Sequence, residues 1–148
     1  MVRVRRRAHA SWQGTVAEGG GRIGVASGTF DEPFTLRPRV EDGVPGTSPE
    51  ELIGAAHAGC YTMSLANVLE ESGHPAADLQ TKATVHLDQT DTGFSITRIA
   101  LETVGDVPGV SDDEFAAAAE HAKATCPVSR ALAGVDITLS VRLGAADA

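Results

Sequence analysis

The chain has 148 residues, of which 42% are hydrophobic and 22% are charged, and this composition predicts a globular protein. The length predicts one domain that spans 1–148, and two sub-modules that share a core are the alternative. No apolar run reaches the roughly 18 residues of a membrane span, so a membrane is not an expected partner. The net charge of −8 argues against nucleic acid as a partner of the whole surface.

The start of the chain, "MVRVRRRAHASW" (1–12), is basic because Arg3, Arg5, Arg6 and Arg7 lie close together. No apolar segment follows, so we expect no secretory signal. We interpret the arginines as a solvated strand end, with a nucleic-acid arm as the less favoured alternative. Two cysteines do not make a disulfide framework in a chain of this size, which favours a cytoplasmic location with reduced thiols.

The first forty residues favour β-structure. Partial alternation in "HASWQGTVAE" (9–18) and the short segments "IGVAS" (23–27) and "PFTLRPRV" (33–40) predict three strands. The glycines of "GGGR" (19–22) predict a turn between the first two strands. Pro38 predicts that the third strand lies at an edge or ends nearby.

The stretch "GTSPEELIGAAHAGCYTMS" (46–64) begins a long helix. Ser48 is the predicted N-cap, Pro49 takes the first helical position, and Glu51 completes a capping box. We expect the helix to end at about Ser72, before a glycine. Apolar and small residues surround it almost completely, which is typical of a central helix covered by a sheet or by a partner.

Alternation predicts strands at 79–90 and 93–104, joined by a hairpin turn, and a final strand at 135–143. Between them, 111–125 predicts a helix that begins with a second capping box. "CPVSRALAG" (126–134) predicts a short third helix. The fold class is therefore α+β, with antiparallel strands packed against a long central helix.

The two cysteines, Cys60 and Cys126, have different predicted settings. Cys126 precedes Pro127 at the start of a short helix, where unpaired N–H groups favour a thiolate. Cys60 lies well inside the long helix, so only a cation from elsewhere in the fold would lower its pKa, and arginine suits this role. A buried, inert thiol is the common fate of a free cysteine, so either sulfur taken alone is better explained by a structural role, and only the two together with their settings favour chemistry as much.

A metal site is an alternative for the same cysteines. His57 and Cys60 share one face of the long helix, and His121 and Cys126 lie near a helix junction. Two nitrogens and two sulfurs satisfy zinc, but the spacing is not that of a common zinc module. His57 is more simply explained as a hydrogen-bonded core histidine, and we expect no metal.

At these residues the sequence resembles a known family. The stretch "GTSPEELIGAAHAGC", "VPG" at 107–109 and "CPVS" at 126–129 resemble the OsmC/Ohr family of bacterial hydroperoxide reductases, from the "WQG" of the first strand to the last strand. "EELIGAAHA" and "CPVSRAL" resemble the OsmC branch more than the Ohr branch. The resemblance implies an intertwined homodimer in which antiparallel sheets wrap around long central helices.

The resemblance also implies an activity and its residues. It implies reduction of organic hydroperoxides, and less well of hydrogen peroxide, without metal, flavin or other cofactor. Cys60 matches the cysteine that reacts with the peroxide, Cys126 the resolving cysteine with which it forms a disulfide, and Glu50 the catalytic glutamate. The family also has an active-site arginine, which Arg39 matches best, and Arg22 and Arg37 are further candidates. An external dithiol, such as a lipoylated protein, is the implied reductant.

The position of Glu50 leads to a separate geometric prediction. If Glu50 and Cys60 are both helical, ten residues separate them by roughly 15 Å along the axis, so they cannot touch within one chain. If Glu50 orients an arginine at Cys60, then either Glu50 or Cys60 of that site comes from the partner subunit. For Glu51 we expect only a capping role at the start of the helix.

Three readings of the function follow. A thiol peroxidase is the leading one, and it requires turnover with a dithiol. A non-enzymatic redox or metal sensor that uses the same cysteines is the alternative, and it would be oxidised once per chain. A structural stress protein in which the cysteines have no chemical role is the third.

Overall fold

The structure is a computed structural model that describes residues 1–145, so the last three residues of the predicted domain lie outside the described part of the chain. The chain divides into two compact units, Met1–Leu52 and a second unit from Ile53 onward. A single domain over 1–148 stays a prediction. No helix in the described residues is long and apolar enough to cross a membrane.

The first unit contains a three-stranded antiparallel sheet in the order β1-β2-β3. Its strands are β1 (Ala8–Gln13), β2 (Gly20–Val25) and β3 (Asp31–Phe34). The prediction of a turn at 19–22 is wrong, because the chain turns before Gly20. Gly21 lies within β2 opposite Trp12, where a Cβ atom would collide with the backbone oxygen of Ser11. Close approach of two strands, and not a turn, therefore requires this glycine.

The third predicted strand is also too long. β3 ends at Phe34 at the edge of the sheet, and a single helical turn, α1 (Arg37–Val40), follows it. Pro38 lies in the first positions of α1, where proline fits the helical backbone and its missing N–H costs no hydrogen bond. The proline thus marks the end of the strand, as expected, but it begins a helix.

The long helix, α2 (Pro49–Glu71), agrees with its prediction at both ends. The backbone N–H of Glu51 donates to Ser48 Oγ at 3.1 Å, and Gly73 has a φ of 86°, which suits glycine after the last turn. One face of α2 is completely covered: the side chains at every fourth residue there are 0–1% exposed, namely His57, Tyr61, Leu65 and Leu69. This face positions the side chains of the candidate site.

The second sheet has the order β4-β5-β6 and is mixed. β4 (Asp78–Thr90) and β5 (Gly93–Asp106) form the predicted antiparallel hairpin, with a register shift between His86 and Leu87. β6 (Asp136–Leu143) runs parallel to β5, and not antiparallel as expected for all strands. A parallel neighbour requires a crossover connection, and the two helices between β5 and β6 provide it.

The crossover consists of α3 (Asp112–Thr125) and α4 (Pro127–Ala131). The predicted capping box of α3 is complete, because Ser111 and Glu114 exchange hydrogen bonds between side chain and backbone. The core of the second unit comes from α2, β5 and α3, and its fully buried side chains include Leu65, Leu69, Ile99, Leu101 and Phe115. The predicted α+β fold class is confirmed, while the intertwined dimer stays a prediction.

Candidate active site

The structure brings the two cysteines together. Cys60 lies in the middle of α2, and Cys126 lies at the junction between α3 and α4. The two Sγ atoms lie 3.1 Å apart, within hydrogen-bond distance for sulfur, and both cysteines are free. Cys126 is completely buried, whereas Cys60 is only partly buried. A small molecule therefore has easier access to Cys60, with Cys126 directly behind it.

The two thiols differ in acidity. Burial raises the pKa of Cys60, and the neighbouring Cys126 raises it further. Burial acts in the same direction on Cys126, but the backbone N–H of Ser129, the Cys60 thiol and the Ser129 hydroxyl outweigh it and lower the pKa of Cys126. The shift at Cys126 has the direction expected for a thiol at a helix start, whereas burial and the neighbouring Cys126 disfavour the thiolate of Cys60.

A cavity of about 500 Å³ lies beside Cys60 in the second unit. Its walls are formed by α2 and by the region where α3 ends, and they include Met63, Val68, His121 and Pro127. The described residues that line the cavity include no arginine or lysine. The lining mixes apolar side chains with polar ones that include Ser64, Asn67 and Glu71, so a cation beside Cys60 would have to come from outside this cavity.

His57 is a buried, hydrogen-bonded core histidine, as its position suggested. Its Nε2 lies 2.7 Å from the hydroxyl oxygen of Ser129, and burial lowers the pKa of its ring. This contact engages Nε2, whereas Nδ1 of the ring is buried without a hydrogen-bond partner among the described residues. Among residues 1–145, no group of three or more His, Cys, Asp and Glu side chains is arranged to hold a metal ion.

Sequence reasoning missed Ser129. It belongs to the quoted "CPVS" and is the third residue after Cys126, the spacing at which the side chain of a helix N-cap residue reaches the first turn of its helix. That spacing was the available signal. Only the fold shows that Ser129 meets His57.

Arg39 and Glu50 form an ion pair in the first unit. Arg39 Nε donates to Glu50 Oε1 at 2.9 Å, and Nη2 of the same guanidinium lies 2.9 Å from that oxygen as an ion pair. Glu50 is 7% exposed, and its Oε2 has no hydrogen-bond partner among the described residues. A buried carboxylate that holds a partly exposed arginine leaves part of the guanidinium available to another group.

The other two candidate arginines have partners of their own. Arg22 donates to Asp31 Oδ1 at 2.7 Å, and the Arg22 guanidinium lowers the pKa of this carboxyl. Arg37 pairs with Glu41 four residues later, and both side chains are exposed. Of the three arginines, Arg39 is the one that the structure places on Glu50.

An apolar cavity of about 210 Å³ adjoins Arg39 within the first unit. Trp12 and Phe34 line it and pack edge to face, with ring centroids 5.3 Å apart, and Leu36 and Pro49 contribute further walls. An arginine beside an apolar cavity suits a molecule with a polar head and an apolar body.

The family described as "OsmC-like protein" matches residues 41–140. The chain is 41% identical to the peroxiredoxin OsmC of Escherichia coli K12 over 141 residues, which are 95% of this chain and 97% of that protein. It is 28% identical to the organic hydroperoxide resistance protein OhrB of Bacillus subtilis over 130 residues, or 85% of this chain and 93% of that one. The higher identity to OsmC agrees with the branch that the sequence motifs predicted.

Solved structures show the same fold. The organic hydroperoxide resistance protein OsmC of Legionella pneumophila superposes with a TM-score of 0.75 at 24% identity, covering 94% of this chain and 98% of that one. OhrB of Bacillus subtilis superposes with a TM-score of 0.70 at 25% identity, covering 92% of this chain and 98% of that one.

Proposed function

The chain belongs to the OsmC-like protein family, and we propose that it is a thiol peroxidase that reduces organic hydroperoxides to alcohols, and hydrogen peroxide less well. One observation carries the proposal: an accessible thiol, Cys60, lies 3.1 Å from a second, buried thiol. A peroxidase that works through a disulfide needs this arrangement, whereas an inert core cysteine does not.

The cycle has three steps. The Cys60 thiolate attacks the distal oxygen of the hydroperoxide, an alcohol leaves, and Cys60 becomes a sulfenic acid. Cys126 then attacks the Cys60 sulfur, which releases water and forms a disulfide. An external dithiol, for which a lipoylated protein is our candidate, reduces this disulfide by exchange. All electrons come from thiols, so the cycle includes no metal or other cofactor, and cytoplasmic reducing conditions would suit it.

We assign the activation of Cys60 to Arg39. Burial raises the pKa of Cys60, and a guanidinium next to the sulfur would counter that effect by favouring the thiolate. Glu50 holds Arg39 through Oε1 and would fix the direction in which the remaining N–H groups point. The apolar cavity beside Arg39 would receive the organic part of the hydroperoxide.

We further propose that the active site is shared between the subunits of a homodimer. α2 is continuous from Pro49 to Glu71, so Glu50 and Cys60 are both helical and ten residues of helix separate them by about 15 Å. The cavity at Cys60 has no arginine or lysine among its described lining residues. Arg39 and Glu50 of one subunit would therefore serve Cys60 of the partner subunit.

The first test weighs the intact, reduced protein before and after one equivalent of cumene hydroperoxide. The proposal expects a loss of about 2 Da, the two thiol hydrogens, in the unmodified protein, and no such loss in Cys60→Ser or Cys126→Ser. Added dithiol should then support many turnovers, as judged by alcohol release. No mass change would contradict the proposed chemistry, and a single oxidation without turnover would favour the redox sensor.

A further inference from the structure

Two pairs of side chains connect α2 with the start of α4. His57 and Cys60 are three residues apart on α2, and Cys126 and Ser129 are three residues apart where α4 begins. Cys60 Sγ lies 3.1 Å from Cys126 Sγ, and His57 Nε2 lies 2.7 Å from Ser129 Oγ. His57 and Cys126 are 0% exposed and Ser129 is 7% exposed. The hydrogen bond between His57 and Ser129 thus holds the start of α4 against α2, next to the contact between the two sulfurs.

The direction of the His57–Ser129 hydrogen bond follows from burial. The ring is neutral at neutral pH because burial lowers its pKa, so it carries one proton. His57 Nδ1 is buried without a partner among the described residues, and a proton there would leave an unpaired N–H group. With the proton on Nε2, His57 donates to Ser129 Oγ, and the hydroxyl hydrogen of Ser129 is free to point at the Cys126 sulfur.

We propose that His57 and Ser129 are positioning residues for the resolving step, which hold Cys126 against Cys60 and stabilise the negative charge on Cys126 while the disulfide forms. The inference rests on the proposed peroxidase function and extends it to two residues that the three-step cycle does not use. The inference also explains why His57 and Ser129, two buried polar side chains, lie within an otherwise apolar region.

The resolving step is a substitution at the Cys60 sulfur. The S–S bond forms as the S–O bond of the sulfenic acid breaks, and the Cys126 thiol proton goes to the departing oxygen to give water. The Cys126 sulfur is oxidised and the Cys60 sulfur is reduced, each to the disulfide level. Negative charge develops on Cys126 as its proton departs. The Ser129 hydroxyl, which itself accepts a hydrogen bond from His57, donates to the Cys126 sulfur and stabilises that charge.

The titratable groups that face Cys126 are few. Cys60, Tyr61 and, through Ser129, His57 face it from α2, and His121 of α3 lines the neighbouring cavity. Burial raises the pKa of Tyr61 to about 12, so this side chain stays neutral at the pH values at which thiols titrate. In a chain without the Cys60 thiol, the thiolate signal therefore reports Cys126.

The first experiment requires no peroxide. In a Cys60→Ser background, the ultraviolet absorbance of the thiolate is followed against pH with and without Ser129→Ala. The inference expects loss of the hydroxyl to raise the midpoint by about one pH unit. Ser129→Thr keeps a hydroxyl, so its midpoint should lie close to that of the Cys60→Ser protein with Ser129 intact. An unchanged midpoint in Ser129→Ala would overturn the proposed role.

The second experiment measures the two chemical steps of the otherwise unmodified protein in quenched flow with one equivalent of cumene hydroperoxide. Ser129→Ala should form sulfenic acid at the normal rate but form the disulfide about tenfold more slowly at neutral pH, so that dimedone traps more Cys60. The pH profile of the disulfide step should move to higher pH. Equal disulfide rates and profiles in Ser129→Ala and the unmodified protein would contradict the inference.

Controls separate this role from a structural one. Thr81→Val removes a partly buried hydroxyl that bonds Thr62 at 2.8 Å elsewhere in the same unit, and it should leave both steps unchanged. His57→Gln keeps a donor near Nε2 and His57→Leu does not, so disulfide formation should be slow only in His57→Leu, even if Ser129→Ala fails to fold. Absence of both sulfenic acid and disulfide in the unmodified protein would defeat the proposed function, while the thiolate titration would still test the role of Ser129.

Discussion

Arg39 Nε donates a hydrogen bond of 2.9 Å to Glu50 Oε1, and Nη2 of the same guanidinium lies 2.9 Å from that oxygen as an ion pair, so a buried carboxylate holds a guanidinium that is itself partly exposed. The two other candidate arginines are engaged with Asp31 and Glu41. The sequence motifs left three arginines open, and the contacts single out Arg39 as the one that Glu50 orients.

Arg39→Ala should reduce kcat/KM for cumene hydroperoxide strongly. Loss of a hydrogen bond from a charged donor to the reacting groups costs about 2–3 kcal/mol in the transition state, or roughly 30- to 150-fold in rate. Arg37→Ala is the matched control, because it removes a nearby arginine whose exposed partner is Glu41. Steady-state assays with a dithiol measure both variants, and a larger loss in Arg37→Ala would show that the assignment to Arg39 is wrong.

Glu50→Gln should lower activity about fivefold to thirtyfold, because an amide holds the guanidinium less firmly than a carboxylate does. Glu51→Gln is the control, since it neutralises the adjacent carboxylate and keeps the backbone N–H that donates to Ser48. Comparison of kcat/KM at equal folded fraction, checked by circular dichroism, distinguishes the two positions. Equal activity of the two variants would argue against a role for Glu50 in orienting Arg39.

Mixed dimers test whether the site is shared. Subunits with Arg39→Ala and subunits with Cys60→Ser should each be nearly inactive alone. After unfolding and joint refolding in equal amounts, about half of the dimers are hybrids, and each hybrid has one complete shared site. The mixture should therefore show about a quarter of the normal activity, measured as alcohol release. If both residues came from one chain, the hybrids would stay inactive.

The pH dependence of the first step provides an independent measure of Arg39. Burial and the neighbouring thiol raise the pKa of Cys60 above its ordinary value of 9.0, so without a cation the rate should rise with pH through a midpoint above that value. A guanidinium at the sulfur favours the thiolate and moves the midpoint down. Single-turnover rates of sulfenic acid formation should therefore have a higher midpoint in Arg39→Ala than in the unmodified protein. Coincident pH profiles would mean that Arg39 does not act on Cys60.

Local features of the sequence predicted local structure well. The caps at Ser48 and Ser111, and the hairpin between β4 and β5, depend on residues close in sequence, and the structure has all three. Predictions failed where a distant segment decides the conformation. Gly21 is a glycine because a neighbouring strand approaches it closely, and β6 is parallel because a helical crossover brings it back beside β5.

For the candidate site, the sequence by itself determined which side chains are candidates for reactive chemistry. The motifs around Cys60 and Cys126 and the helix start at Glu50 are short-range patterns, and with the family resemblance they were enough to predict a peroxidase. Tertiary structure alone decided that the sulfurs lie 3.1 Å apart, that Arg39 rather than Arg22 or Arg37 meets Glu50, and that Ser129 meets His57. These contacts join residues 11 to 72 positions apart, and such distances depend on how helices and sheets pack, which no local pattern encodes.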